Sequence, residues 1–95
     1  MGENGRMKKA IITSVGKDGV GITAGVCVYL AEQNVNIIDF SQSIVGGYYH
    51  MMVIVDISAV ENYDEFIAGL SETGKKLGID IKCQLETIFE AMHRI

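Results

Sequence analysis

A cluster of glycines near the start of the chain joins an apolar, β-branched run to an apolar helix pattern. Residues 11–13 form the run, and three glycines then fall within six positions, at 16, 19 and 21. Glycine permits a sharp turn and leaves backbone N–H groups uncovered. The first N–H groups of the following helix have no partner within it and lie at the positive end of its dipole. The junction therefore predicts a strand–turn–helix unit able to hold a carboxylate or phosphate, the alternative being a turn that binds nothing.

Hydrophobic periodicity predicts five more elements after the first strand. Asn62 and Glu65 have the spacing of a helix capping box, Gly46-Gly47 is typical of a two-residue hairpin turn, and Asn34 is a left-handed helix cap. The predicted elements are a strand over 7–15, a helix over 20–33, strands over 35–45 and 48–57, a helix ending at Gly78, and a strand over 79–86.

The order β-α-β-β-α-β predicts the α+β, ferredoxin-like sandwich. Right-handed crossovers place the first and third strands in the centre of a four-stranded antiparallel sheet, with both helices on one face. The 95 residues fit one domain, which we assign to residues 7–95, after a disordered leader over 1–6. In the tail, an apolar stripe could close the core or clasp a partner; it comprises Ile88, Phe89, Met92 and Ile95.

Two features predict a homo-oligomer of at least two chains. The first helix is apolar on nearly all its faces, and the second strand lies at an open edge of the predicted sheet. Along that strand Ile38, Phe40 and Ile44 alternate with polar residues, which predicts one buried and one wetter face.

Composition excludes several classes of function. The net charge of −4 argues against nucleic-acid binding, and no apolar run approaches the roughly 20 residues that span a membrane. Cys27 and Cys83 lie in apolar patterns, which favours buried free thiols in a reducing cytoplasm over a disulfide or metal site. His50 and His93 have no nucleophile motif near them, so we predict no catalytic residue, no metal and no cofactor.

Two motifs resemble those of the ACT domain, a small regulatory module that binds ligands. Residues 18–22 (Asp-Gly-Val-Gly-Ile) resemble the family's Asp-Arg-Pro-Gly-Ile loop, and residues 32–37 (Glu-Gln-Asn-Val-Asn-Ile) resemble its Gly-(Val/Ala)-Asn-Ile signature. The chain is most similar in organisation to stand-alone single-ACT proteins, with a kinship to the ACT repeats of glycine-cleavage regulatory proteins.

The resemblance implies an amino-acid site between two subunits. By position, Asp18, Gly19 and Gly21 belong to the ligand loop and Asn36 is the strand-two amide. Gly16 stands where serine-sensing members carry a histidine, which argues against serine as the ligand. A helix of about 14 residues separates its ends by roughly 20 Å, so a shared site requires the partner chain to supply either the loop or Asn36.

The sequence thus favours a non-catalytic regulatory module that binds an amino acid at a homodimer interface. A protein-interaction or assembly module with a vestigial ligand site is the second hypothesis. A small enzyme on a ferredoxin-like scaffold is the third, because the fold alone does not determine function.

Overall fold

Six elements follow one another in the predicted order β-α-β-β-α-β. A computed structural model describes residues 8–17 and 19–86, so the leader over 1–6, Asp18 and the apolar stripe of the tail lie outside the described residues. The elements are β1 (Lys9–Lys17), α1 (Ile22–Glu32), β2 (Asn36–Val45), β3 (Tyr48–Asp56), α2 (Tyr63–Leu77) and β4 (Ile79–Leu85).

The sheet has the order β2-β3-β1-β4, and each neighbouring pair is antiparallel. The prediction of a ferredoxin-like sandwich with β1 and β3 in the centre is therefore confirmed. Alternate residues of the two central strands, such as Ile12 and Val53, are fully buried against the helices. The buried helix residues on the other side of this core are Ile22, Val26 and Leu30 of α1 and Phe66 and Leu70 of α2.

The two helices approach each other closely because glycine lies at their contact. A Cβ at Gly25 would come 2.8 Å from Leu77 Cδ2, and one at Gly69 would collide with Tyr29. The Tyr29 hydroxyl donates a hydrogen bond of 2.8 Å to the Phe66 carbonyl of α2. This contact fixes α1 against α2 and so sets the direction in which the start of α1 points.

The Asn62 half of the capping box, the Gly78 and Asn34 caps and the hairpin turn are confirmed. The Asn62 side chain accepts a hydrogen bond from the Glu65 N–H, and Gly78 ends α2 with a φ of 77°. Asn34 has a φ of 59°, as a left-handed cap requires. Gly46 and Gly47 both have positive φ, which matches the twist of a tight hairpin.

The start of α1 differs from the prediction. β1 continues through Gly16 to Lys17, and α1 begins at Ile22 instead of residue 20. Gly16 is therefore a strand residue opposite Tyr49 and Ile79, where an added Cβ would come 2.7 Å from Ile79 Cγ2. Gly21 precedes the helix with a φ of 83°, and this left-handed residue delays its first turn.

The predicted buried face of β2 is wrong. Only Phe40 is half-buried, and the other β2 residues are exposed, because the helices cover the other three strands and leave this edge strand open. The alternation through Ile38 is also interrupted by a register shift between Ile37 and Asp39. The cysteines need a smaller correction: Cys27 and Cys83 are free, but both are half-buried.

Exposed apolar surface lies mainly around β2 and not on α1. Among the described residues, Val28 is the exposed large apolar side chain within α1. Outside the β1–α1 junction, the others are Val15 on β1, Ile37, Ile38, Ile44 and Val45 on β2, and Tyr48 and Met52 on β3. None of the helices in the described ranges is both long and apolar enough to cross a membrane.

Candidate functional site

A groove of about 450 Å³ lies beside the β1–α1 junction. The junction and the first turn of α1 form one wall, and the second half of β2 with the start of β3 forms the other. The lining residues are Gly19, Gly21, Ile22, Thr23 and Ala24 on the first wall, and Gln42, Ser43, Ile44 and Tyr49 on the second. The groove is therefore built where the glycine cluster predicts a binding loop.

The N-terminus of α1 lies beside this groove. Its first backbone hydrogen bond runs from the Gly25 N–H to the Gly21 carbonyl at 2.9 Å, and no described side chain caps the helix. The N–H groups at residues 22–24 therefore have no partner within the helix, and all three residues line the groove. Unpaired helix N–H groups favour a negatively charged group beside them.

Three polar side chains from three elements meet at the floor of the groove. Thr23 Oγ1 of α1 lies 2.8 Å from Gln42 Oε1 of β2 and 2.5 Å from the Tyr49 hydroxyl of β3. The Tyr49 hydroxyl lies 3.0 Å from the same Gln42 oxygen. Tyr49 is only 4% exposed, so its ring anchors the group in the core. We call Thr23, Gln42 and Tyr49 the hydroxyl–amide cluster.

The predicted ligand residues do not all meet within one subunit. Gly19 and Gly21 lie together in the groove, and Asp18 lies outside the described residues. Asn36 is exposed at the opposite end of β2, where it pairs with Asp56. Asn36 lies six positions before Gln42, which corresponds to roughly 20 Å along a strand. One small ligand in the groove therefore does not reach Asn36 of the same chain.

None of the three members of the hydroxyl–amide cluster is predicted from the sequence. Gln42 did carry a signal, since it is the polar residue at a position where Ile38, Phe40 and Ile44 predict an apolar face. Thr23 and Tyr49 carried none, because they join the cluster only when the sheet and α1 pack together. They lie 26 residues apart along the chain.

The other candidate residues do not contribute to the groove. His50 lies on β3 opposite Val15 and Ser43, on the sheet face away from the helices. Cys83 accepts a long hydrogen bond of 3.9 Å from the Tyr63 hydroxyl, and burial raises the pKa of its thiol. Within residues 8–17 and 19–86, no three His, Cys, Asp or Glu side chains are placed to hold a metal ion.

Comparison with known proteins identifies the family. The model of the ACT domain matches residues 8–84. A UPF0237 protein of Bifidobacterium longum is 50% identical over 90 residues, which are 94% of this chain and 100% of that protein. The solved ACT domain protein from Streptococcus pneumoniae is 38% identical, with a TM-score of 0.80 over 90% of this chain and 97% of that one. The chain belongs to the ACT domain family.

A more distant structure shares the fold alone. A putative glycine cleavage system transcriptional repressor is 20% identical, with a TM-score of 0.72 over 83% of this chain and 46% of that one. The chain is thus an ACT domain of the ferredoxin-like fold, and the groove lies at its β1–α1 junction.

Proposed function

We propose that this protein is a non-catalytic regulatory module that binds an amino acid at the interface of a homodimer. The observation that carries the proposal is the groove at the β1–α1 junction. Membership of the ACT domain family predicts a ligand-binding loop at this junction. The groove combines unpaired helix N–H groups with polar side chains, which suits a small zwitterion better than an apolar molecule.

The proposed dimer forms through the open edge of β2. This strand exposes 60% of Ile44 and 63% of Val45, and its outer backbone groups have no neighbouring strand in the described sheet. Pairing with a second copy would satisfy those groups and bury the apolar side chains. A C2 interface uses the same patch on both subunits, and β2 supplies such a patch.

The same pairing supports a site shared between two chains. If a two-fold axis lies beside the middle of β2, between the strand and its copy, the two β2 strands pair antiparallel. The partner's Asn36 then lies opposite the Ser43–Val45 end of β2, beside the groove. We therefore assign the ligand to Asp18, Gly19 and Gly21 of one subunit and to the partner's Asn36.

We propose that the protein acts as a regulator in the cytoplasm. The two cysteines are free in the described structure, and burial raises the Cys83 pKa, which favours the thiol form. Free thiols of this kind are typical of a reducing compartment. Because the groove and the β2 edge are adjacent, ligand binding would affect the dimer. Through the dimer it would act on another protein.

A thermal-denaturation screen against the twenty standard amino acids tests the proposal. At a concentration of 100 times its Kd, a ligand stabilises the folded state by about 2.7 kcal/mol. We expect at least one amino acid to raise the midpoint. If none does at millimolar concentration, the site is vestigial and the second hypothesis, an assembly module, replaces the first.

A pair of matched variants locates the binding. Ala24 lines the groove and Ala31 lies further along the same helix; both are exposed alanines of α1. Ala24→Leu should fill the groove and abolish the thermal response, whereas Ala31→Leu should preserve it. Equal responses from the two variants would place the ligand elsewhere.

A further inference from the structure

We propose that Gln42 makes the groove selective for a carboxylate, because its amide is held with the carbonyl inward and the NH2 group toward the ligand. This inference rests on the proposed function and specifies the chemical group that the β2 wall recognises. Neither the glycine loop nor Asn36 takes part in this recognition. It depends on the geometry of the hydroxyl–amide cluster.

The triangle of distances favours an inward carbonyl over an inward NH2 group. Thr23 Oγ1 and the Tyr49 hydroxyl lie 2.5 Å apart, and they are 2.8 and 3.0 Å from the inward atom of Gln42. At the inward atom, the angle between the directions to the two hydroxyls is far smaller than the roughly 120° between the two N–H bonds of an amide. An inward NH2 group could aim at only one hydroxyl. A carbonyl oxygen accepts over a broad range of directions, so it suits this position.

The count of hydrogens leaves the amide nitrogen as the donor that the cluster offers. Thr23 and Tyr49 carry one hydroxyl hydrogen each, so two of the three contacts among the oxygens of the cluster hold a hydrogen and neither hydroxyl has one left for a ligand. Gln42 Nε2 has no hydrogen-bond partner among the described residues. Gln42 lines the groove, and we assign its two N–H bonds to a ligand acceptor there. A carboxylate supplies such an acceptor, whereas an ammonium group does not.

Thr23 and Tyr49 act as positioning residues. Tyr49 is buried in the core and Thr23 is fixed in the first turn of α1, so the two hydroxyls come from different elements. An exposed glutamine on an edge strand would otherwise rotate its amide freely. By holding Oε1, the two hydroxyls reduce the conformational entropy that the Gln42 side chain loses when a ligand binds.

A first experiment tests the amide without knowledge of the natural ligand. The side-chain NH2 signals of the ¹⁵N-labelled protein are followed during titration with sodium acetate and, at equal ionic strength, with ethylammonium chloride. The Gln42 signals are identified by their absence from the Gln42→Glu variant. We expect acetate to shift them and ethylammonium to leave them unchanged. A shift with ethylammonium alone, or with neither probe, would overturn the inference.

The positioning role is tested in the same experiment. Thr23→Val removes a hydroxyl at nearly constant shape, and Thr23→Ser retains it. The valine variant should lose most of the acetate-induced shift, and the serine variant should restore it. If the valine variant responds like the wild type, Thr23 does not hold the amide.

A second experiment uses whichever amino acid gives the largest thermal response in the screen. Gln42→Glu keeps an inward oxygen for both hydroxyls but presents a negatively charged oxygen to the groove. We expect its affinity to fall by at least about tenfold, which corresponds to roughly 1.4 kcal/mol. Ser71→Asp, which adds the same charge at an exposed position of α2, should bind like the wild type.

The outcomes separate this inference from the proposed function. If the wild type responds to an amino acid and Gln42→Glu binds it equally well, the inference fails and the proposed function stands. If the wild type responds to none of the twenty amino acids, the proposed function fails, and the acetate titration alone decides whether the Gln42 amide recognises a carboxylate.

Discussion

Ser14 is a polar residue in the centre of the core, on β1 opposite Met51 and Ile81. It is 3% exposed, and its Oγ has no hydrogen-bond partner among the described residues. A buried hydroxyl without a partner bears a desolvation cost that an apolar side chain avoids. We therefore predict that Ser14→Ala leaves the free energy of unfolding unchanged or raises it by up to about 1 kcal/mol. Urea denaturation measures this, and a clear loss of stability would show that the hydroxyl has a role in the fold.

Asp56 provides a pH-dependent contribution at the end of β3. Its Oδ1 accepts hydrogen bonds from the Ser58 hydroxyl at 2.6 Å and from the Ser58 N–H at 3.0 Å. The Ser58 side chain, followed by its backbone N–H, lowers the pKa of Asp56 below the ordinary value of 3.8. Because the pKa is lower in the folded state, this stabilisation is present above pH 3.8 and is lost as the pH falls through the folded-state pKa.

Ser58→Ala should accordingly raise the Asp56 pKa toward its ordinary value. The variant should be less stable than the wild type at pH 6, and the difference should shrink as the pH falls below the folded-state pKa of Asp56. An NMR titration of the Asp56 carboxyl group, with urea denaturation at both ends of that range, checks the prediction. A stability difference that does not depend on pH would assign the effect of Ser58 to something other than Asp56.

At the scale of elements, the start of α1 depends on the backbone of Gly21. Its φ of 83° is unfavourable for most L residues, although an added Cβ would meet nothing within 4 Å. Gly21→Ala should therefore cost about 1 kcal/mol of stability, and Gly21→Asn should cost less, because asparagine tolerates this conformation. Urea denaturation compares the two variants. Equal losses would mean that the cost comes from the added side chain and not from the backbone angle.

The edge strand β2 is the element that we expect to form the dimer. Val45→Lys introduces a charge at an exposed apolar position of β2, and Val28→Lys does so at a similarly exposed position of α1. Val45→Lys should shift the protein toward monomer at tens of micromolar, while Val28→Lys should not. Light scattering distinguishes these outcomes. Dissociation by Val28→Lys alone would transfer the interface to α1, as the apolar pattern of that helix first predicted.

Features set by residues close together in the sequence were predicted correctly, whereas features set by contacts between distant elements were not. The caps at Asn62 and Gly78 and the hairpin at Gly46-Gly47 are set by adjacent residues, so the sequence predicted them and, through the element order, the fold. The exposure of β2 depends on which strands the helices cover, and this is decided by packing. The Gln42 contacts join three elements for the same reason. Local patterns therefore located the loop of the site but not its β2 wall.

For the whole molecule, one chain holds only part of the proposed site. Gly19 and Gly21 line the groove, while Asn36 lies at the far end of β2. If the ligand contacts both subunits, it binds the dimer and not the monomer, so ligand binding and dimerisation are linked equilibria. The linkage would allow a metabolite to control an assembly without any change in the fold of the subunit.

The dimer dissociation constant, measured by sedimentation equilibrium with and without the most stabilising amino acid of the screen, tests this account most directly. At 100 times its Kd, a ligand that requires both subunits should lower the dissociation constant by about two orders of magnitude for each site occupied. The Asn36→Ala variant should show a much smaller change. A dissociation constant that is the same with and without the amino acid would contradict a site shared between two chains.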